Sequence, residues 1–304
     1  MSSTGDGTTP TRLPLSILIP SYMRDAVLWR TVKSLGAQLE EGDEVIVVDQ
    51  NDPPLAPPVD LAPLPLRLVR LDRPSLTRAR NVGIAAARNG HLVFLDDDIV
   101  PDPALLAAFR RAARANPGCI LAGAVDQDDI PADVESPGRV DFRTGEIRTN
   151  FSRPPAGEVP FFPGGLNLIP RSALGPRPWF DPRFRGSAHG EEIDFSLRAR
   201  ARGVHIVADP SIRVFHLKVV EGGCRAPEFR RRFVLDHAYN MGLFQGKHGR
   251  LGSIAGFLRR VKGFVEFHTR SVGGGHDAGL VAWAFALTGR GFFTGLGLRL
   301  GRGG

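Results

Sequence analysis

The 304-residue chain predicts an α/β protein: a doubly wound, mostly parallel sheet flanked by helices, with a C-terminal helical extension. Three observations lead there. Apolar, β-branched runs alternate with stretches of helical periodicity. The runs are apolar at consecutive rather than alternate positions, as strands covered on both faces must be. The residues that follow each run are polar, and this is where an open α/β sheet binds its ligands.

Leu15 to Ile19 reads as the first strand, closed by Pro20, and Asp25 to Leu39 as a helix through Val27, Leu28, Val32, Leu35 and Leu39. Glu44 to Val48 is a second strand ending at Asp49; Leu66 to Leu71 alternates as a third. Asn81 to Arg88 reads as a helix, His91 to Leu95 as a strand that stops at Asp96, and a further helix starts near Pro103. From Asp126 to Pro163 the pattern dissolves into Pro, Gly and charge, the mark of a surface excursion. Order returns with a strand at Gly165 to Ile169, a helix at Glu191 to Arg202 with acidic residues in its first turn, strands at Val204 to Val207 and Ile212 to Phe215, and helical spacing over Phe229 to Phe244. The expected division is a flexible segment 1–13, a catalytic domain 14–220 and a basic helical extension 221–304.

Charge sharpens that division. Residues 1–220 carry 26 basic and 27 acidic side chains, whereas residues 221–304 carry 13 and 5, so the net charge of +7 belongs to the extension. The extension interleaves Arg with apolar stretches and lacks a groove-reading motif, so nucleic acid is not the expected partner. It is expected either to pack on its own catalytic domain or to lie on an anionic membrane surface. Its apolar run from Ala278 to Gly289 is short of the ~20 residues that span a bilayer. Met1 to Arg12 is small and polar, with no signal-peptide pattern, so a cytoplasmic location is expected, at most peripheral on the inner face of the cytoplasmic membrane. Two cysteines, Cys119 and Cys224, exclude a disulfide framework.

The strand ends carry the chemistry: Pro20, Ser21, Tyr22 and Arg24 after the first, Asp49, Asn51 and Asp52 after the second, and Asp96, Asp97 and Asp98 after the fourth. No Gly-rich fingerprint follows the first strand and no GxxxxGK occurs, which excludes a dinucleotide-binding dehydrogenase and a P-loop nucleotidase. Three consecutive carboxylates repel one another, and a divalent cation is the simplest relief. In an extended segment Asp96 and Asp98 point to one side and Asp97 to the other. An acidic cap for the following helix is the alternative reading.

Taken in order, IPSYMRD, VIVVDQND, ARNVGIAAARNGHLVFLDDD, GGLNLIPR and HGEEIDFSLRARARG resemble family 2 glycosyltransferases of the GT-A fold, over roughly residues 14–218. The resemblance implies inverting transfer of a sugar from a nucleotide-sugar donor, with Mn²⁺ or Mg²⁺ as cofactor. By position, Pro20, Ser21 and Tyr22, with Arg24 beside them, match the loop that lines the nucleoside. Asp49 matches the carboxylate on the base, with Asn51 two residues on. Arg80 and Asn81 match the segment near base and ribose. Asp96 matches the first carboxylate of the DxD element, with Asp97 beside it, and Asp98 the direct metal ligand. His216 corresponds to a histidine that completes the metal shell, and an imidazole suits Mn²⁺ better than Mg²⁺. Gly164, Gly165 and Asn167 match the loop between donor and acceptor, and His189 is expected near the acceptor. Glu192 is the expected catalytic base, with Glu191 orienting the acceptor and Asp194 beside them. Asp49-Gln50-Asn51 departs from the two adjacent acids of many members, which leaves the base open.

The expected reaction moves a sugar, from a UDP-sugar by preference, to a hydroxyl of a glycan or lipid-linked acceptor in cell-envelope or exopolysaccharide synthesis. A non-catalytic nucleotide-sugar or glycan-binding protein is the alternative.

Overall fold

The structure, a computed structural model, describes residues 12–127, 136–219, 221–223, 230–249, 254–270 and 278–301. Strands and helices alternate through the first half: β1 (Leu15–Ser21), α1 (Asp25–Gly36), β2 (Glu44–Asp49), β3 (Leu66–Arg70), α2 (Leu76–Ala86), β4 (His91–Leu95), β5 (Ile99–Pro101), α3 (Leu105–Ala115) and β6 (Ile120–Asp126). After them come a short hairpin of β7 (Arg139–Asp141) and β8 (Glu146–Arg148), then β9 (Gly157–Glu158), β10 (Leu166–Pro170), α4 (Glu191–Arg200) and β11 (Ile206–His216). The extension forms α5 (Arg230–His248), α6 (Ile254–Arg270) and α7 (Ala278–Leu300).

Among the described residues the main sheet has nine strands in the order β3-β2-β1-β4-β10-β6-β11-β5, with β9 beside β11. Strands β3, β2, β1 and β4 run parallel, as do β6 and β11, while β10 is antiparallel to both of its neighbours. Chain reversal at β10 brings the Gly164-Gly165 turn back onto the carboxyl end of β4. Leu15, Ile17, Ile19, Val45, Val47 and Val93 face one apolar layer, and Leu18, Ile46, Val48, Leu92 and Phe94 face the other, so both sides of the sheet are covered. This is why the strands read as continuous apolar runs.

Three element boundaries differ from expectation. Helix α2 begins at Leu76, five residues before Asn81, because its inward face carries Thr77 and Arg80 beside Ala79, Gly83 and Ile84, and a buried polar stripe hides the periodicity. The two strands expected at Val204 and Ile212 are one strand, β11, whose pairing with β6 shifts between Ala208 and Arg213. Pro210 lies in that gap, where it cannot donate to the ladder. The excursion after Asp126 holds the β7–β8 hairpin; residues 128–135, like Phe229, Cys224 and residues 1–11, lie outside the described residues.

The extension is joined to the preceding part of the chain through its core. Tyr239, Leu243 and Phe244 of α5 pack with Phe161, Phe184, Ala188 and Ile193. Behind this layer α5 and α7 cross at backbone contact, with Gly242 and Gly246 against the carbonyls of Thr288 and Phe292, and Gly291 and Gly295 against those of Tyr239 and Leu243. No helix among the described residues is long and apolar enough to cross a membrane.

The crossing gives a test with opposite signs at two glycines. A Cβ at Gly246 meets backbone, whereas one at Gly263 in α6 meets open space. Gly246→Ala is expected to cost about 1–3 kcal/mol through overpacking, while Gly263→Ala gains up to about 1 kcal/mol from helix propensity. Denaturant unfolding of the two variants measures both shifts.

Candidate active site

The turn after β4 brings cationic and polar groups to its three carboxylates. Asp97 accepts a hydrogen bond from Ser21 Oγ at 2.7 Å and meets Asp98 at one guanidinium, since Arg24 Nη1 lies 3.1 Å from Asp97 Oδ1 and 2.9 Å from Asp98 Oδ2. Thr31 of α1 lies 2.9 Å from the carbonyls of both Asp97 and Ile99 and fixes the turn's backbone. Burial, only partly offset by Arg24 and Ser21, pushes the Asp97 carboxyl up to about 6. Burial pushes Asp98 up as well, but His216, Arg24 and the Val219 amide outweigh it and hold the carboxyl below its ordinary value. A guanidinium therefore supplies part of the compensation that the sequence assigned to a metal, and Arg24 serves the aspartates and, through Nη2 at 2.8 Å, the Val219 carbonyl.

A set of side chains that could hold a metal ion remains on the other side of the turn. Asp98 Oδ1 faces His216 Nε2 at 3.1 Å, and Asp96 Oδ2 lies 3.9 Å from the same nitrogen. One donor atom from each of Asp96, Asp98 and His216 falls within 4.8 Å of the others. Two carboxylate oxygens and an imidazole nitrogen suit Mn²⁺ and accommodate Mg²⁺. His216 reaches this place because the last residues of β11 pair with β5, immediately after the aspartates: His216 opposite Ile99 and Phe215 opposite Val100. Gly165 presses on the other flank. Its carbonyl accepts from the Asp96 amide at 3.2 Å, and a side chain there would overlap the Asp96 carboxylate.

Two cavities meet at Asp96 and His216. One, of about 400 Å³, is lined by Pro20, Tyr22, Gln50, Asp98 and Lys218. The other, of about 440 Å³, is lined by Arg80, Gly164, Gly165, Glu191, Glu192 and His189. Glu191 and Glu192 open α4, and the left-handed Gly190 before them turns the chain into the helix. Glu191 is buried in an ion pair with Arg80 of α2, which itself stacks over Phe180 at 5.4 Å. Burial lowers the Arg80 pKa against the opposing charges of Asp96 and Glu192. Glu192 is half-buried and faces the cavity.

Several expected site residues organise the site from behind rather than line it. The carboxylate of Asp49 is fully buried and accepts from the amides of Asn51 and Leu55 at 2.9 and 3.0 Å and from Arg70 at 2.7 Å. Asn51 accepts from the Met23 amide, so Asp49 and Asn51 together shape the loop beneath Tyr22. Asn81 holds Phe180 through both of its amide atoms, at 2.7 and 2.9 Å, and Asn167 bonds the Pro163 and Gly164 carbonyls at 2.8 and 3.0 Å.

Asp194 is turned away from the cavity. Arg198, Lys247 and His248 surround its carboxylate, at 3.0, 2.5 and 2.7 Å, and Lys247 also bonds Asp181 at 2.8 Å. Burial would raise its pKa, yet the His248 bond and the two cations hold it far below the carboxylate range. This cluster ties the start of α4 to the end of α5.

Sequence reasoning passed over Gln50, Lys218, Phe233 and His237, all of which line one of the two cavities. His237 stacks between His189 and Phe264, with ring centroids 4.0 Å apart on both sides. Left-handed backbone at Met23, Ala188 and Lys218, all non-glycine, falls in three of the segments that border the cavities; such strained positions collect at functional sites.

Residues 16–175 match the family described as Glycosyl transferase family 2. A search of curated proteins finds no match. Among solved structures, GalNAc-T7 with UDP, GalNAc and Mn²⁺ is similar at a TM-score of 0.56 and 17% identity, covering 86% of this chain. The chain spans only 55% of that protein's length. The mannosyltransferase PcManGT of Pyrobaculum calidifontis, in complex with GDP-Man and Mn²⁺, is similar at 0.52 and 16% identity, covering 97% of this chain and 80% of its own. A 1–349 fragment of S. aureus TarS in complex with UDP-GlcNAc gives 0.52 and 14%, covering 95% and 92%. At these identities the likeness is one of fold, and it is the GT-A glycosyltransferase fold.

The Asp194 cluster yields a stability test. Asp194→Asn is expected to cost about 3 kcal/mol or more, the penalty for removing one member of a buried charge pair. Since the folded-state pKa is depressed, the stabilisation is fully present above the ordinary value of 3.8 and declines as pH falls below it. Unfolding curves of wild type and variant should lie furthest apart above about pH 5 and converge in acid.

Proposed function

The chain belongs to glycosyl transferase family 2, and on that premise we propose that it transfers a sugar from a nucleotide-sugar donor, a UDP-sugar in first place, to a hydroxyl of a glycan or lipid-linked acceptor with inversion, in cell-envelope or exopolysaccharide synthesis. The observation that carries this reading is the meeting of two cavities at Asp96 and His216, with Glu192 across the second. A protein that only bound nucleotide sugar would need the first cavity alone. Relatives solved with UDP, GDP-Man or UDP-GlcNAc support the donor class.

In this reading the nucleoside lies along Pro20, Tyr22 and Gln50, with the Lys218 ammonium near the phosphates. Asp96, Asp98 and His216 would hold a Mn²⁺ or Mg²⁺ ion, which supplies positive charge to offset that on the departing nucleoside diphosphate. The acceptor enters the second cavity. Glu191, engaged by Arg80, orients it, whereas Glu192 accepts the proton from the attacking hydroxyl. The acceptor oxygen forms its bond to the anomeric carbon as the bond from that carbon to the phosphate oxygen breaks, and the nucleoside diphosphate leaves with the electron pair. Attack from the face opposite the leaving group inverts the centre. Gly164 and Gly165 let backbone close over the reacting sugar, which excludes water that would otherwise hydrolyse the donor.

Glu192→Gln keeps the shape of the side chain and removes the base. Turnover of a donor found by screening nucleotide sugars is expected to fall by about 10²- to 10⁴-fold, with donor affinity, measured by calorimetry, within about two-fold of wild type on the uniform-binding argument. Turnover that survives the substitution removes Glu192 from the mechanism.

A further inference from the structure

The outward face of α7 carries a stripe of apolar side chains broken by one arginine. Exposed positions recur at helical spacing as Ala282, Trp283, Ala286, Arg290, Phe293, Gly297 and Leu300, which places them on one stripe. Trp283, Phe293 and Leu300 are 62%, 71% and 71% exposed, against the buried core that the same helix presents to α5. Neighbouring α6 adds Leu258 and Phe267, 42% and 68% exposed. Soluble monomers do not leave so many large apolar side chains on one helix face without a partner.

Charge identifies the partner. The stripe is interrupted by a basic residue, Arg290, and flanked by exposed Arg299, Arg259 and Lys262; residues 221–304 carry 13 basic against 5 acidic side chains. A tryptophan with cations beside an apolar stripe is the composition of a helix lying in the headgroup plane of an anionic bilayer. Beneath the stripe, Phe257, Leu258, Phe285, Phe292 and Phe293 line a cavity of about 220 Å³, with Arg299 among its walls. It is apolar enough to take a stretch of hydrocarbon chain. We propose that the α6–α7 face is a docking surface for an anionic lipid bilayer, with α7 parallel to the membrane and the cavity admitting a lipid tail. The proposal is independent of the donor and of the catalytic acids.

The test is co-sedimentation of the full chain with phosphatidylcholine vesicles that contain phosphatidylglycerol, beside pure phosphatidylcholine vesicles. Wild type is expected to partition onto the anionic vesicles, more weakly onto the neutral ones, and the double variant Trp283→Glu/Phe293→Glu to lose about ten-fold or more of the binding. Both positions are exposed, so thermal unfolding should be unchanged. Quenching of wild-type tryptophan fluorescence by brominated phosphatidylglycerol reads insertion without any variant. Wild type that stays in the supernatant, a variant that binds equally, or absent quenching overturns the proposal. So does a wild type that ignores vesicles but self-associates through this face, with the variant monomeric, since the occupant is then a second copy.

Discussion

Everything in this fold that bears on function follows from the need to stabilise three carboxylates in a row at the end of a buried strand. Asp96 keeps access to the cavities, but Asp97 and Asp98 are buried in the turn that follows a strand flanked by β1 and β10 and packed on both faces. Uncompensated charge there would be prohibitive. The solution divides the load: Ser21 and Arg24 take Asp97 and one oxygen of Asp98, and the remaining oxygens of Asp96 and Asp98 turn toward His216. What is left is a half-neutralised cluster with one nitrogen and two oxygen donors in reach of each other. Such a cluster could hold a divalent ion on the side that the internal cation leaves uncovered.

A second constraint fixes the other side of the reaction space. Glu191 and Glu192 can face a cavity only if the start of α4 is held, and the holding is done from the extension. Asp194, one turn further along, is clamped by Lys247 and His248 of α5, while α5 is itself braced by α7 through glycine-mediated backbone contact. The basic extension is therefore packed into the structure that holds the start of α4. Its inner face positions α4 and contributes Phe233 and His237 to the cavity.

Much of this was legible in the sequence, for stated reasons. Consecutive apolar runs gave the parallel strands, because burial on both faces leaves no alternation to blur. The family resemblance brought His216 to the aspartates across more than a hundred residues, whereas strand alternation did not reveal that Asp97 and Asp98 meet at one guanidinium. Local pattern failed where polar side chains point inward. Arg80 and Thr77 concealed the first turns of α2, and the same inward Arg80 is the partner of Glu191, so one feature hid both a boundary and a contact. Asp194 looked like a member of an acidic triplet; helical geometry turns it roughly to the opposite side from Glu192, where only the fold reveals Lys247 and His248. Phe233 and His237 carry no motif and enter the cavity through tertiary placement alone.

The central claim is that Asp96, Asp98 and His216 act together on one divalent ion. Electron paramagnetic resonance measures it directly, since protein-bound Mn²⁺ loses the sharp six-line signal of the free ion. Titrating the protein with Mn²⁺ in the presence of UDP should remove the free signal up to one equivalent, and Asp98→Asn should leave the ion free at concentrations that saturate wild type. Undiminished uptake by Asp98→Asn, or no uptake by wild type, would contradict the account.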